Sequence, residues 1–304
     1  MFDLLVAGEI NPDLILSGNV VPEFGQVEKL VASAALTVGS SSAIFACGAA
    51  RLGLKVAFIG VCGDDVFGRF MLEEMSKRDV DVSNVIVRSG SQTGLSVILT
   101  DQADRAILTH PGLIPALRAS DVPDALLRQA RHLHVASYFL QTNLQPGLPD
   151  LFQRARSLGL TTSLDTNYDP SEQWLGFDEL LSLTDVFFPN RTEALSITRA
   201  EDVESATKRL AQRARLVVVK LGVDGALACK EDAILRSDAI PVNVVDTVGA
   251  GDSFDAGFLY GFLNGWQLQK SLRLACACGA LSTRQAGGTD GQPTLDEAMK
   301  HVSG

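Results

Sequence analysis

The sequence has 304 residues, 46% of them apolar and 20% charged, which is enough to bury one large α/β core or two smaller ones. A formal net charge of −10 with no basic stripe speaks against a nucleic-acid-binding role, and no apolar run reaches the length of a membrane span. No basic, apolar leader precedes the first strand. The five scattered cysteines (47, 62, 229, 276 and 278) lack metal or redox spacing and read as reduced core residues, so a cytoplasmic protein is expected.

Residues 4–8 form a short apolar run, read as a strand, that ends in Gly-Glu-Ile-Asn11-Pro-Asp13. Polar residues at the carboxyl end of a strand in an open parallel sheet face the ligand cleft, so Asn11 and Asp13 are candidates; turn formation is the competing role. Residues 14–38 have no helical period and carry short alternating pieces at 14–16, 27–31 and 34–38. Residues 92–111 read as a hairpin, with alternation over 95–99, a turn at Asp101-Gln-Ala-Asp104, and a return over 106–108. The two clusters lack crossover helices and predict a small antiparallel sheet inserted in the main domain. Between them, Gly39 and Ser40 lead a small-residue helix that ends at 50–53. Residues 56–61 then read as a strand, and Gly63-Asp64-Asp65 suits a strand-to-helix turn with an N-cap before a helix over 70–78.

From about residue 121 the pattern alternates: helix 122–130, strand 132–138, helix 148–158, strand 160–165. His132 and His134 share one strand face, with no third ligand in view, and no metal is assigned to them. The later strand ends in Asp165-Thr-Asn167, again polar residues at a carboxyl end. A strand over 184–188 precedes Asn190 and Glu193, whose i, i+3 spacing suits a capping box at the head of a helix. The β-branched strand 216–221 carries Lys220 at its end and runs into Gly222-Val-Asp-Gly225, a hairpin turn. Lys220 either approaches an anion there or snorkels beside the strand end.

An apolar run over 239–245 reads as the end of a strand and 254–262 as a buried helix. Between them lies Asp246-Thr247-Val-Gly249-Ala250-Gly251-Asp252. A glycine-rich turn entering a helix exposes backbone N–H groups with no intrahelical partner, so an anion such as a phosphate can approach them. A carboxylate in such a cradle repels the ligand unless it has a chemical task, and the natural task is to take a proton from a hydroxyl attacking phosphorus. The bland alternative is a tight turn that Asp252 caps. No Gly-Lys-Ser/Thr follows, so this is not a Walker A motif. A small-residue helix over 272–281 and a glycine loop over 285–293 close the chain.

Through residues 246–252 the chain resembles the PfkB family of carbohydrate kinases, of ribokinase-like fold, whose C-terminal signature is Asp-Thr-x-Gly-Ala-Gly-Asp. The stretch 39–68 resembles the family's first signature and departs from it at Ser40, in place of a glycine, and at Ile44, in place of an asparagine that usually contacts substrate. The resemblance runs nearly end to end. It implies a single three-layer α/β/α domain over 1–304, with a mostly parallel central sheet and a small inserted β lid made of segments 14–38 and 92–111. It implies that Asp252 is the catalytic base and that Gly249, Ala250 and Gly251 form the anion hole. Asn11, Asp13, Gly39, Ser40, Asp165 and Asn167 would bind substrate. Asn190 and Glu193 would serve the Mg2+ and phosphate network, reaching the metal through water. Lys220, Gly222, Gly225, Asp246 and Thr247 would border the nucleotide, with 262–290 as the adenine pocket. Carbonyls near 246–248 and 284–290 are candidates for a monovalent cation such as K+. Asp169 stands where family members often carry an arginine, which speaks against a sugar acid.

The implied reaction is ATP-dependent phosphorylation of a sugar hydroxyl. Ile44 is also compatible with a nucleoside kinase of the same family. A non-catalytic sugar or nucleotide sensor is the alternative of another class, against which the intact Asp252 argues. Lids of this fold can pair between subunits, so a homodimer through the lid is a further expectation.

Overall fold

All four side chains of the first strand, β1 (Leu4–Ala7), are fully buried. Successive side chains on a strand point to opposite faces, so a strand with no exposed side needs a packed layer on each. Leu4 and Val6 belong to a core with Phe45, Phe58 and Phe258, whereas Leu5 and Ala7 belong to a second core with Phe152, Phe177 and Phe187.

The computed structural model describes residues 1–101 and 104–302. After β1 come β2 (Pro12–Ser17), β3 (Ser33–Val38), α1 (Ser41–Arg51), β4 (Val56–Ile59), β5 (Val61–Gly63), α2 (Val66–Ser76), β6 (Val80–Asp81) and β7 (Ile86–Arg88). The chain then forms β8 (Leu95–Asp101), β9 (Asp104–His110), α3 (Asp124–Leu127), β10 (His132–Val135), α4 (Leu148–Ser157), β11 (Thr161–Leu164), α5 (Asp178–Ser182) and β12 (Val186–Phe187). It ends with α6 (Arg191–Thr198), α7 (Val203–Ala211), β13 (Leu216–Lys220), β14 (Ala226–Lys230), β15 (Ala233–Ser237), α8 (Ala250–Leu263), α9 (Leu268–Ser282) and α10 (Leu295–Met299).

Among the described residues, nine strands form the central sheet in the order β15-β14-β13-β12-β11-β10-β1-β4-β6. Pairing is parallel from β13 through to β6, and β14 and β15 run antiparallel at one edge. The chain order reverses between β1 and β10, and at such a switch point the loops after neighbouring strands diverge and open a crevice at the carboxyl ends. No helix among the described residues is long and apolar enough to cross a membrane.

The lid is a separate four-stranded sheet in the order β3-β2-β8-β9. It corrects one expectation: the sheet is not antiparallel throughout. Each hairpin is, but the seam β2–β8 is parallel, with Asp13 opposite Ser96 and Ser17 opposite Thr100. Both seam strands are the outgoing arms of their hairpins, so they run in the same direction. Residues 27–31 form no strand, and the 102–103 turn lies outside the described residues.

Other boundaries differ for local reasons. The helix expected over 122–130 is only α3, because Ala130 already bridges to Phe2 beside the sheet. β10 stops at Val135, short of the expected 138, and Ser137 beyond it takes a positive φ of 51°. The run 239–245 is not a strand. Pro241 offers no N–H for a ladder, and the Val245 N–H donates to the Thr283 carbonyl at the end of α9 instead. α8 begins at Ala250, inside the glycine motif, earlier than the expected 254.

Candidate active site

A polar cavity of about 540 Å³ opens between the lid and the strand ends, with Asn11, Asp13, Asn167, Glu193, Gly251 and Asp252 in its walls. An apolar cavity of about 270 Å³ adjoins it, and Lys220, Gly222, Thr247 and Gly251 line both. The glycine turn at the head of α8 is therefore the partition between a wet chamber and a greasy one.

Asp246 fixes that turn. Its Oδ1 accepts from the Val248 N–H at 3.0 Å and its Oδ2 from the Gly287 N–H at 2.9 Å, so the turn is stapled to the glycine loop behind it. Gly249 has φ 71°, and a Cβ there would lie 2.8 Å from Gly288 and from Ile44 Cγ2, so no side chain fits. Among the described residues, the Gly251 and Asp252 amides have no backbone acceptor, as expected for the first turn of a helix. The Ala250 amide instead closes a long 3.3 Å bond to the Thr247 carbonyl.

Asp252 follows directly on that turn and is 8% exposed. Burial, reinforced by the Asp165 charge, pushes its pKa up to about 8, and the Ser41 hydroxyl bonds to it. Beneath it lies an ion cluster: Lys220 Nζ donates to Asp165 Oδ2 at 2.6 Å and to Asp255 Oδ2 at 3.2 Å. Although burial works the other way, the Lys220 ammonium and the hydrogen bond from Asp255 hold the Asp165 carboxyl below its ordinary range. Burial drives Asp255 well above that range, so of the two Asp255 carries the proton.

Asn190 and Glu193 do form the capping box. Asn190 Oδ1 accepts from the Glu193 N–H at 2.9 Å, and Glu193 Oε2 accepts from the Asn190 N–H at 2.9 Å. The box also turns Glu193 into the polar cavity, where burial raises its pKa to about 7. A carboxylate held in a dry wall near a second one, with oxygens toward a cavity, is a donor set suited to a hydrated Mg2+. Structural capping and metal service are compatible here.

On the acceptor side, Asn11 donates to Ser96 Oγ at 3.3 Å across the seam to the lid. Burial lifts the Asp13 carboxyl to about 7 against the opposing charge of Arg105. Gly39 lies beneath Asp13: a Cβ on it would sit 2.2 Å from Asp13 Oδ1. Ser40 caps α1 by accepting from the Ala43 N–H at 3.1 Å and donates to the Glu9 carbonyl at 2.7 Å, so it supports the wall. Asn167 donates to Ser41 Oγ at 2.6 Å and Ser137 Oγ at 2.9 Å, bracing two strand ends.

Glu9 is the residue that sequence reasoning missed. It is 3% exposed and accepts from the hydroxyls of Ser40, Ser42 and Ser137 and from the Ser42 N–H. The available signal was a lone acid two residues before Asn11 at the same strand end. Two further findings concern charge. Asp169 does not face the cavity; it closes its own loop by accepting from Ser171 and Trp174 N–H groups. Arg105 from β9 does line the cavity, so the side that lacks a cation at 169 gains one from the lid.

The apolar cavity is walled by Ile240, Val242, Val244, Phe254 and Cys276, together with Gly225. The run 239–245 is apolar because it lines this chamber. A Cβ on Gly225 would lie 2.0 Å from the Ser237 carbonyl, so the turn accepts only glycine. His132 and His134 bond to Thr161 and Ser163 at 2.7 Å inside the core, and burial pushes His134 down to about 3. No group of three or more His, Cys, Asp or Glu suited to a metal occurs among the described residues.

An apolar chamber joined to a polar one at a glycine turn that heads a helix, on a mostly parallel sheet with a small separate sheet, is the layout of a ribokinase-like fold. Comparison with known proteins agrees. The profile of the pfkB family carbohydrate kinases matches residues 1–295, and the chain belongs to that family. It is 32% identical over 284 residues to the 5-dehydro-2-deoxygluconokinase of Geobacillus thermodenitrificans (strain NG80-2), covering 87% of this chain and 84% of that one. An E.coli structure that holds ATP and Mg2+ superposes with a TM-score of 0.88 at 22% identity, over 99% of each chain. The adenosine kinase from Sinorhizobium meliloti superposes with a TM-score of 0.87 at 24% identity, also over 99% of each. These two likenesses establish the fold, and the family establishes a carbohydrate kinase.

Proposed function

We propose that this protein transfers the γ-phosphoryl group of ATP to a hydroxyl of a small carbohydrate seated in the polar cavity. The observation that carries this reading is Asp252: a buried carboxylate of raised pKa on the first turn of α8, beside the anion cradle and facing the acceptor chamber. The base lies where an incoming hydroxyl and a phosphate presented by the cradle would meet.

In the proposed reaction the acceptor is held by Asn11 and Asp13, whose oxygens suit sugar hydroxyls, with the Glu9 scaffold behind them. Asp252 accepts the hydroxyl proton as the O–P bond forms, and the bond from phosphorus to the departing ADP oxygen breaks. The Gly251 and Asp252 amides, with the other 249–251 groups, face the charge that builds on the transferring phosphoryl. Glu193 and Asn190 would hold Mg2+ through water, and the ion would supply charge neutralisation on the phosphates. The lid excludes water, which competes as a phosphoryl acceptor. Carbonyls around 246–248 and 284–290, drawn together by Asp246, suit a monovalent cation such as K+. The lid also exposes Val21, Phe24, Leu30 and Leu108, an apolar surface that supports pairing of two copies.

A second reading, a nucleoside acceptor, rests on the apolar part of the same chamber, Ile44, Ile107 and Leu140. The test is Mg2+-dependent ADP release over neutral sugars, sugar acids, sugar phosphates and nucleosides. Arg105 keeps the acids on that panel. Turnover with a carbohydrate supports the proposal, turnover with a nucleoside alone replaces it, and ligand binding without turnover favours a sensor.

A further inference from the structure

Among the described residues Lys220 is the one lysine that lines both chambers, yet its charge faces protein carboxylates. Its side chain is 12% exposed, and those of Asp165 and Asp255 are 1% exposed each. Three elements meet on it: the end of β11 through Asp165, the end of β13 that carries it, and α8 through Asp255. Asp252 and Asp255 are spaced i, i+3 and so share a face of α8, the first toward the chamber and the second a turn deeper. Gly251 lies directly over the lysine, its Cβ position in ordinary contact at 3.6 Å from Lys220 Nζ. A cation at a helix N-terminus opposes the helix dipole. Its retention there requires compensation, which the Asp165 carboxylate supplies, with Asp255 Oδ2 as a second acceptor.

We propose that Asp165, Lys220 and Asp255 form a buried clamp that fixes the head of α8 against the strand ends, so that Lys220 is a positioning residue for phosphoryl transfer and not a nucleotide ligand. Asp255 enters the clamp through Oδ2, which accepts from Lys220 Nζ at 3.2 Å, while Asp165 takes the shorter 2.6 Å bond. Among the described residues its Oδ1 has no hydrogen-bond partner, so Oδ2 is the oxygen that does the holding. An amide keeps an acceptor oxygen for Lys220; an apolar side chain does not. The role rests on the kinase reading above, but the clamp itself does not.

The test uses the full chain with Lys220→Met, Asp255→Asn, Asp255→Leu and the double variant Lys220→Met/Asp255→Leu. With a working acceptor, Lys220→Met and Asp255→Leu each lower kcat at least 100-fold and leave the KM for ATP within about three-fold. Asp255→Asn stays within about five-fold of wild type in kcat, because its amide oxygen still accepts from Lys220. A rise in the KM for ATP with kcat intact would make Lys220 a nucleotide ligand and overturn the proposal. So would an Asp255→Leu enzyme with normal kcat. Thermal unfolding reads the clamp independently of turnover: the double variant melts within about 2 °C of the less stable single variant, because the two share one interaction. Additive losses overturn the clamp. A wild type silent on every acceptor sinks the kinase reading, while the unfolding series still decides for or against the clamp.

Discussion

At the scale of the residue, Asp252 carries a testable electrostatic signature. Its pKa stands near 8 because burial and the Asp165 charge disfavour the carboxylate. A base must be deprotonated to work, so kcat/KM is expected to rise with pH through about 8, a profile that an exposed carboxylate would place several units lower. The same shift has a stability consequence. A carboxyl whose folded pKa lies above its ordinary value favours folding while protonated, and that contribution is lost as pH rises from about 4 through about 8. Asp252→Asn removes the charge penalty, so it is expected to melt a few °C above wild type at pH 8.5, with the gap closing toward pH 4. Calorimetric scans across pH check this. Asp252 was legible in the sequence because its motif is contiguous. The Lys220 contacts were not, since Asp165 is 55 residues away and Asp255 is 35. Glu9 was hidden because its donors lie in two distant segments, at Ser40–Ser42 and at Ser137.

At the scale of the element, the head of α8 depends on glycine at one position above all. Gly249→Ala meets both a positive φ and contacts at 2.8 Å, and is expected to destabilise the fold by about 1–3 kcal/mol. The larger effect should be kinetic, a fall in kcat of about 100-fold as the cradle shifts against Gly288. Steady-state kinetics beside a melting curve separates the two. The β-branched run of β13 and the apolar β1 were readable because buried parallel strands have no polar face. The run 239–245 misled because apolar composition reports burial and not hydrogen-bond partners; it lines a cavity. Its Pro241 was the contrary signal.

At the scale of the whole molecule, alternation of strands and helices announced the central sheet, and the switch point between β1 and β10 follows from its order. The parallel seam of the lid was not legible, because it joins hairpins some 80 residues apart whose pairing no local pattern encodes. The lid also bears the prediction for assembly: Phe24 is fully exposed and Leu30 nearly so. Phe24→Ser with Leu30→Ser is expected to convert a dimer to a monomer in sedimentation equilibrium without lowering the melting temperature of the monomer. A wild type that sediments as a monomer at high concentration would remove the dimer from the account.

The central claim is that one buried carboxylate moves the proton. It is tested most directly by Asp252→Asn, with turnover of the best acceptor measured beside the calorimetric affinity for Mg2+–ATP. The account predicts a fall in kcat of about 10³–10⁴-fold with nucleotide affinity within a few-fold of wild type. A variant that binds nucleotide and turns over within ten-fold of wild type would contradict it.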